Sequence, residues 1–216
     1  MSIRKTAFVS NEYYHIYNRG NSKQIIFKDK NDYFHFIYLL YVSNTELNFN
    51  SRIVPKDFYS IDRRKRLVSI GAYCLMPNHF HILISQTEDG SISKFMQKVT
   101  TAYAMYYNGK YKRTGSLFEG KFKSQYAKNE RYLKYLFSYI HLNIVKLIQK
   151  DWKEKGIKNK SKVIDFLENY KYSSYQDYLG INRAENKVLN REEFPDYFST
   201  KEKFQKEIFE WLSYEE

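Results

Sequence analysis

Met76-Pro77-Asn78-His79-Phe80-His81-Ile82-Leu83-Ile84 sets two histidines around one phenylalanine, inside an apolar run that follows a proline break. Side chains on a β-strand alternate between faces, so positions two apart share one. His79 and His81 therefore point one way, while Phe80, Ile82 and Ile84 fill the opposite face. Two imidazoles side by side on a rigid strand are a ready pair of metal ligands. Taken alone, the triplet reads more simply as two exposed polar positions on a half-buried strand, because short motifs often match by chance.

Outward from this stretch, Leu67 to Leu75 is a second β-prone run, and the break at Pro77-Asn78 is short enough to make it the antiparallel neighbour of 79–85. Tyr13-Tyr14-His15-Ile16-Tyr17, closed by the turn signal Asn18-Arg19-Gly20, reads as a first strand. From Lys30 to about Val42, Phe34, Ile37, Tyr38 and Tyr41 recur at helical spacing behind Asp29 and Asn31, either of which suits a cap. Residues 44–64 read as a loop leading into the basic run Arg63 to Arg66, most simply a solvated face. Asp89-Gly90-Ser91 is expected to cap a helix over 92–107, with Phe95, Met96, Val99, Ala102, Tyr103 and Tyr106 on one stripe. A fourth strand is expected near Leu117 to Ala127, and Asn129 then caps a long helix to about Ile148.

The order strand, helix, two strands, helix, strand predicts an α+β fold of the ferredoxin-like, split βαβ kind. Its antiparallel sheet carries helices on one face and the histidine pair on a central strand. Residues 1–150 form this domain, and 151–216 are expected to be a C-terminal helical extension packed on it, with a last helix near 201–213.

Composition narrows the partner. The 36 Lys+Arg against 24 Asp+Glu give a net charge of +12, a field that favours polyanions, nucleic acid first among them. Aromatics at 19% suit base stacking, although most of the tyrosines are simply half-buried packing residues. The longest apolar run, Phe34 to Val42, is far short of the roughly 20 residues that cross a bilayer, so no membrane partner is expected. Met1 to Thr6 lead into no signal-peptide core, and the single cysteine, Cys74, suggests a reducing compartment. A cytoplasmic, nucleoid-associated protein is expected.

On the helix after Asn129, Leu133, Leu136, Phe137, Ile140, Ile144 and Leu147 form the stripe that must face the sheet. Tyr139 and Asn143, four apart, stack just beside it and look into the cleft between helix and sheet. An amide oxygen there would complete a site with His79 and His81, leaving positions for phosphate oxygen and water. Tyr139 would then reach the bound phosphorus. On spacing alone a boundary aromatic and an exposed helix position are the better reading of Tyr139 and Asn143, and Tyr132 and Tyr135 are the fallback nucleophiles.

Five blocks carry a family likeness. They are Tyr14-His15-Ile16-Tyr17-Asn18-Arg19-Gly20, then Met76-Pro77-Asn78-His79-Phe80-His81, then Arg113-Thr114-Gly115-Ser116-Leu117-Phe118-Glu119-Gly120-Lys121-Phe122-Lys123. Tyr139-Ile140-His141-Leu142-Asn143 and Tyr172-Ser173-Ser174-Tyr175-Gln176-Asp177-Tyr178-Leu179-Gly180 complete the order. The chain resembles the single-tyrosine HUH transposases of bacterial insertion sequences, most closely the REP-associated tyrosine transposases. The resemblance implies a metal-dependent nuclease and strand transferase acting on single-stranded or hairpin DNA through a 5′-phosphotyrosine, as monomer or homodimer. By position, His79, His81 and Asn143 match the ligands of Mg²⁺ or Mn²⁺, and Tyr139 matches the nucleophile.

Two departures stand out. Asn143-Ile144-Val145 replaces the common Asn-Pro-Val, so Ile144 is expected to extend the helix, and Phe118 stands where tryptophan is common. Arg19, Lys94, Lys98, Lys110, Lys112, Arg113, Lys121 and Lys123 are expected around the cleft as DNA contacts, with Tyr103, Phe118 and Phe122 stacking bases. His15 and Glu119 are accessory candidates, and they and His141 are the candidates for a general base. The alternative is a non-catalytic single-stranded DNA or RNA binder; it leaves His79, His81 and Asn143 together unexplained.

Overall fold

The computed structural model describes residues 7–47, 54–55 and 57–210. The chain runs β1 (Tyr13–Arg19), α1 (Lys30–Val42), β2 (Val68–Met76), β3 (His79–Gln86), α2 (Ser91–Lys110), β4 (Lys123–Tyr126) and α3 (Glu130–Leu142). After it come α4 (Trp152–Lys155), α5 (Lys160–Asn169), α6 (Tyr175–Tyr178) and α7 (Lys201–Glu210). The sheet order is β2-β3-β1-β4 with every neighbour antiparallel, which is the split βαβ arrangement with the histidine strand inside the sheet. Met1 to Thr6, part of the 44–64 loop and residues 211–213 of the expected last helix lie outside the described residues. Among the described residues no helix is long and apolar enough to cross a membrane.

Local chemistry explains most boundaries. Asp29 accepts the backbone N–H groups of Asn31 and Asp32 and closes a capping box with Asp32, which starts α1. Asn129 caps α3 by accepting the Tyr132 N–H at 2.7 Å. The entry to α2 differs from expectation: Gly90, at φ +80°, occupies the cap position and no side chain caps the helix. β4 is also shorter than the expected 117–127 run. Gly120, at φ +69°, bends the chain, so Phe118 forms only an isolated bridge to Gly20 before pairing resumes at Lys123.

The end of α3 is a second correction. The α-helix stops at Leu142 and tightens into a 3₁₀ turn over Asn143–Leu147, so the bend arises without a proline and Ile144 does not extend the helix. A 3₁₀ turn has about three residues per turn, which rotates later positions off the α-helical stripe. Leu147 accordingly leaves the sheet-facing row and is 48% exposed, while Ile144 stays buried.

The two crossover helices share one face of the sheet. Phe80 packs on Phe36 of α1 with ring centroids 4.9 Å apart, and Phe36 meets Tyr103 of α2 at 5.0 Å. The other face, which carries the histidines, is covered by α3 rather than left open. The extension flanks β2: Leu75 donates to the Tyr172 carbonyl, Cys74 bridges Ser173, and Asn190 donates to the Ile70 carbonyl.

Burial of histidine makes this fold acid-sensitive. Burial pushes His141 down to about 3 and His35 to about 4, against about 6.5 in an unfolded chain. Below pH 6.5 the unfolded chain binds protons that the native state refuses, so stability falls with pH down to those values. The slope is up to about 1.4 kcal/mol per pH unit for each histidine. We expect the urea midpoint to drop steadily from pH 7 to pH 4.5, less steeply in His141→Gln; a flat midpoint between pH 7 and 5 would refute it.

Candidate active site

Strand register brings the first residues together. Cα pairing sets Tyr17 and Cys74 beside His81, and Arg19 and Met76 beside His79, all on one face. The two rings stand nearly perpendicular, centroids 4.9 Å apart. His79 lies half-buried at the strand end and donates its Nδ1–H to Asn78 Oδ1 at 2.6 Å, which leaves Nε2 with a lone pair. His81 is buried between two partners. Its Nε2 lies 3.2 Å from Asn143 Nδ2, and its Nδ1 lies 2.8 Å from His15 Nε2.

With the Asn143 amide nitrogen turned towards His81, these contacts favour one tautomer. The amide donates to Nε2, so the His81 proton sits on Nδ1 and is donated to His15 Nε2. Burial keeps the imidazoles uncharged at neutral pH. It holds His15 at about 3, helped by Lys153, and His79 at about 4, helped by Lys146 and Arg19. His81 falls well below its ordinary value, chiefly through burial and then through His15 and His79. Neutral imidazoles that keep a lone pair on Nε2 are what a cation needs.

Asn143 opens the 3₁₀ turn, is 1% exposed, and its Oδ1 is buried without a hydrogen-bond partner. An orphaned buried acceptor costs about 1–3 kcal/mol, so it calls for an explanation. Turning the amide over would set Oδ1 and His81 Nε2, both lone-pair donors, against each other at the 3.2 Å now spanned by Nδ2. Two ligands at right angles around an ion with bonds of about 2.1 Å lie about 3.0 Å apart. The donor set therefore fits a divalent cation. Among the described residues no three His, Cys, Asp or Glu side chains gather to hold a metal, and the polar group that meets His81 Nε2 is a carboxamide.

Tyr139 sits one turn before Asn143 on α3. Its ring stands edge-on to His81, centroids 5.7 Å apart, and to His15 at 5.6 Å. It lines a recess of about 240 Å³ with His15, Tyr17, His81, Gln125 and Lys153. Tyr135 stacks on both Tyr139 and the buried Tyr132, so the three rings form a ladder with Tyr139 at the histidine end.

The other expected residues scatter. Glu119 forms a two-pronged pair with the Arg19 guanidinium, which holds its carboxyl below the usual range and makes it a poor base. His141 faces away from the histidine pair: its Nδ1–H donates to the Phe137 carbonyl and its Nε2 accepts from Ser174. Lys98 donates to the carbonyls of Thr45 and Leu47, Lys110 is engaged by Asp29 and Asp32, and Arg113 lies over the Tyr107 ring. With exposed Lys94 and Lys112 they belong to α2 and its C-terminal turn, not to the histidine face. Tyr103 is buried and bonded to the Ile26 carbonyl, so it is a core residue and not a stacking platform.

Arg19, Lys123 and Glu119 line a recess of about 260 Å³ with His79. Lys121, Lys123, Phe118 and Phe122 line a larger groove of about 1160 Å³ between α2 and β4. Sequence reasoning missed Lys146 and Lys153, the lysines whose charge bears on His81. Lys146 lies in the 3₁₀ turn, off the α-helical spacing, and Lys153 lies beyond it, so neither had a local signal.

Fold and centre together define a ferredoxin-like α+β protein whose central strand presents a histidine pair to a tyrosine-bearing helix. Residues 8–143 match the family described as Transposase IS200 like, and the chain belongs to that family of DNA-processing enzymes. A REP-associated tyrosine transposase solved bound to a REP hairpin shares the fold, with a TM-score of 0.53 over 86% of this chain and 90% of its own. At 12% identity the likeness is one of fold. No curated protein matches the chain significantly.

Proposed function

We propose that the protein is a divalent-metal-dependent endonuclease and strand transferase for single-stranded, hairpin-associated DNA, working through a 5′-phosphotyrosine. The observation that carries this reading is the meeting of Tyr139, His81 and Asn143 across the helix–sheet cleft, with the Asn143 amide on His81 Nε2. Mg²⁺ or Mn²⁺ held by His79, His81 and Asn143 would supply charge neutralisation at a non-bridging phosphate oxygen.

Tyr139 Oη attacks phosphorus, the P–O3′ bond breaks, the 3′-oxygen takes up a proton, and the phenolic proton passes to water. The ester keeps the phosphodiester's energy, so a second 3′-hydroxyl can attack it and join strands without ATP. Arg19, Lys121 and Lys123 hold the flanking backbone, which makes affinity salt-sensitive. A labelled hairpin oligonucleotide incubated with Mn²⁺ should give a covalent protein–DNA band on a denaturing gel, lost on chelation. A shift confined to native gels would leave a binding module instead.

His15 acts here through His81. By accepting the Nδ1–H it holds the ring in the tautomer that aims Nε2 at the site. We expect His15→Leu to weaken Mn²⁺ binding by about 10–100-fold in calorimetry, with His15→Gln, which keeps an acceptor, closer to wild type. Equal affinity in His15→Leu would remove this role.

A further inference from the structure

The short helix α4 returns the C-terminal extension to the centre. Trp152 is buried and anchors the turn, and Asp151 at its start engages Lys155 at 3.2 Å and Lys158 at 3.3 Å. The turn so pinned sends the exposed Lys153 over α3, with Nζ 3.9 Å from the centroid of the Tyr139 ring. Lys153 lines the same recess as His15, His81 and Tyr139. Its charge is felt there, adding to the downward push on both His15 and His81.

A ring centroid lies only a ring radius and one C–O bond from Oη. An ammonium above the ring therefore stands within one side-chain swing of any phosphorus that Oη attacks. An exposed ammonium over an aromatic face gains only about 0.5–1 kcal/mol, so a phosphate oxygen displaces that contact readily. We propose that Lys153 is a further catalytic residue, whose ammonium binds a non-bridging oxygen of the phosphate under attack by Tyr139. Lysine suits this task because it is a compact point charge on a flexible stem, able to follow the phosphorus from diester to phosphotyrosine. It adds to the charge stabilisation expected from the His79–His81–Asn143 set, where negative charge grows on the equatorial oxygens. The inference rests on the phosphotyrosine reading above.

The test compares wild type, Lys153→Ala and Lys153→Arg in single-turnover adduct formation with Mn²⁺ in excess. Two hairpin oligonucleotides are used, one with a normal scissile phosphodiester and one with a methylphosphonate there, which carries no charge. Lys153→Ala should slow the phosphodiester reaction about 10²-fold, with Lys153→Arg recovering much of it and both variants melting like wild type. On the methylphosphonate, wild type and Lys153→Ala should react alike. Unchanged phosphodiester rates in Lys153→Ala overturn the proposal. So does an equal loss on both substrates, which would make Lys153 a clamp on the ring alone. A wild-type protein that forms no adduct with the phosphodiester instead sinks the phosphotyrosine reading and this inference with it.

Discussion

Tyr139→Phe should abolish the covalent protein–DNA adduct while leaving oligonucleotide binding and thermal stability essentially intact. The substitution removes one oxygen and nothing else. Phenylalanine keeps the edge contacts to His81 and His15, the stack on Tyr135 and the face beneath Lys153. A covalent step has no partial substitute for its nucleophile, so the loss in adduct formation should reach at least about 10²–10⁴-fold, the range for deleting such parts. The readout is a labelled 5′-phosphotyrosine band on a denaturing gel, with native gel shift as the control for binding. Tyr132 is buried and Tyr135 is stacked between its neighbours, so neither should take over. An adduct that persists in Tyr139→Phe and maps to Tyr135 would move the nucleophile one turn back along α3.

How much of this centre could be read from sequence depends on the range of each interaction. The facing of His79 and His81 is a property of adjacent residues on one strand, so alternation alone predicts it. The phase of α3 is also local, set by Asn129 and carried by Leu133, Leu136, Phe137 and Ile140. The stop at Leu142 was not legible, because the residues of the 3₁₀ turn are ordinary helix formers and tertiary packing decides between the two windings.

Charge was legible as a total and not residue by residue. Lys110 meets Asp29 and Asp32 across about eighty residues, and that pairing takes it out of any DNA surface. The His15–His81 contact is likewise a product of β1–β3 register, and the two residues are 66 apart in sequence. The return of Lys153 depends on the turn after Leu147 and on burial of Trp152, which no spacing rule reports.

Asn143→Ala should separate the stability of the fold from its capacity to take a metal. In the metal-free protein the wild-type amide makes one hydrogen bond, to His81, and buries an unpaired carbonyl oxygen. Removing the amide leaves the buried His81 Nε2 without its donor, at a cost of about 1–3 kcal/mol, and removing the orphaned oxygen returns about 1–3 kcal/mol, so the metal-free variant should melt close to the wild-type temperature. Adding Mn²⁺ should set the two apart. A ligand at a hundred times its Kd stabilises the native state by about 2.7 kcal/mol, and this increment should appear in wild type and be largely absent from Asn143→Ala. His81→Ala should lose it as well, and should also melt lower without metal, since it leaves a cavity beside His15 and breaks both contacts of the imidazole. Adduct formation should fall with the metal increment in both variants, by about 10² or more. Only a functional donor shows this opposition, in which removal is harmless to the empty protein and ruinous to the loaded one. A structural asparagine would melt lower in both conditions. If Mn²⁺ raises the melting temperature of Asn143→Ala as much as that of wild type, the carboxamide is no ligand and the cation, if bound at all, rests on the two imidazoles and water.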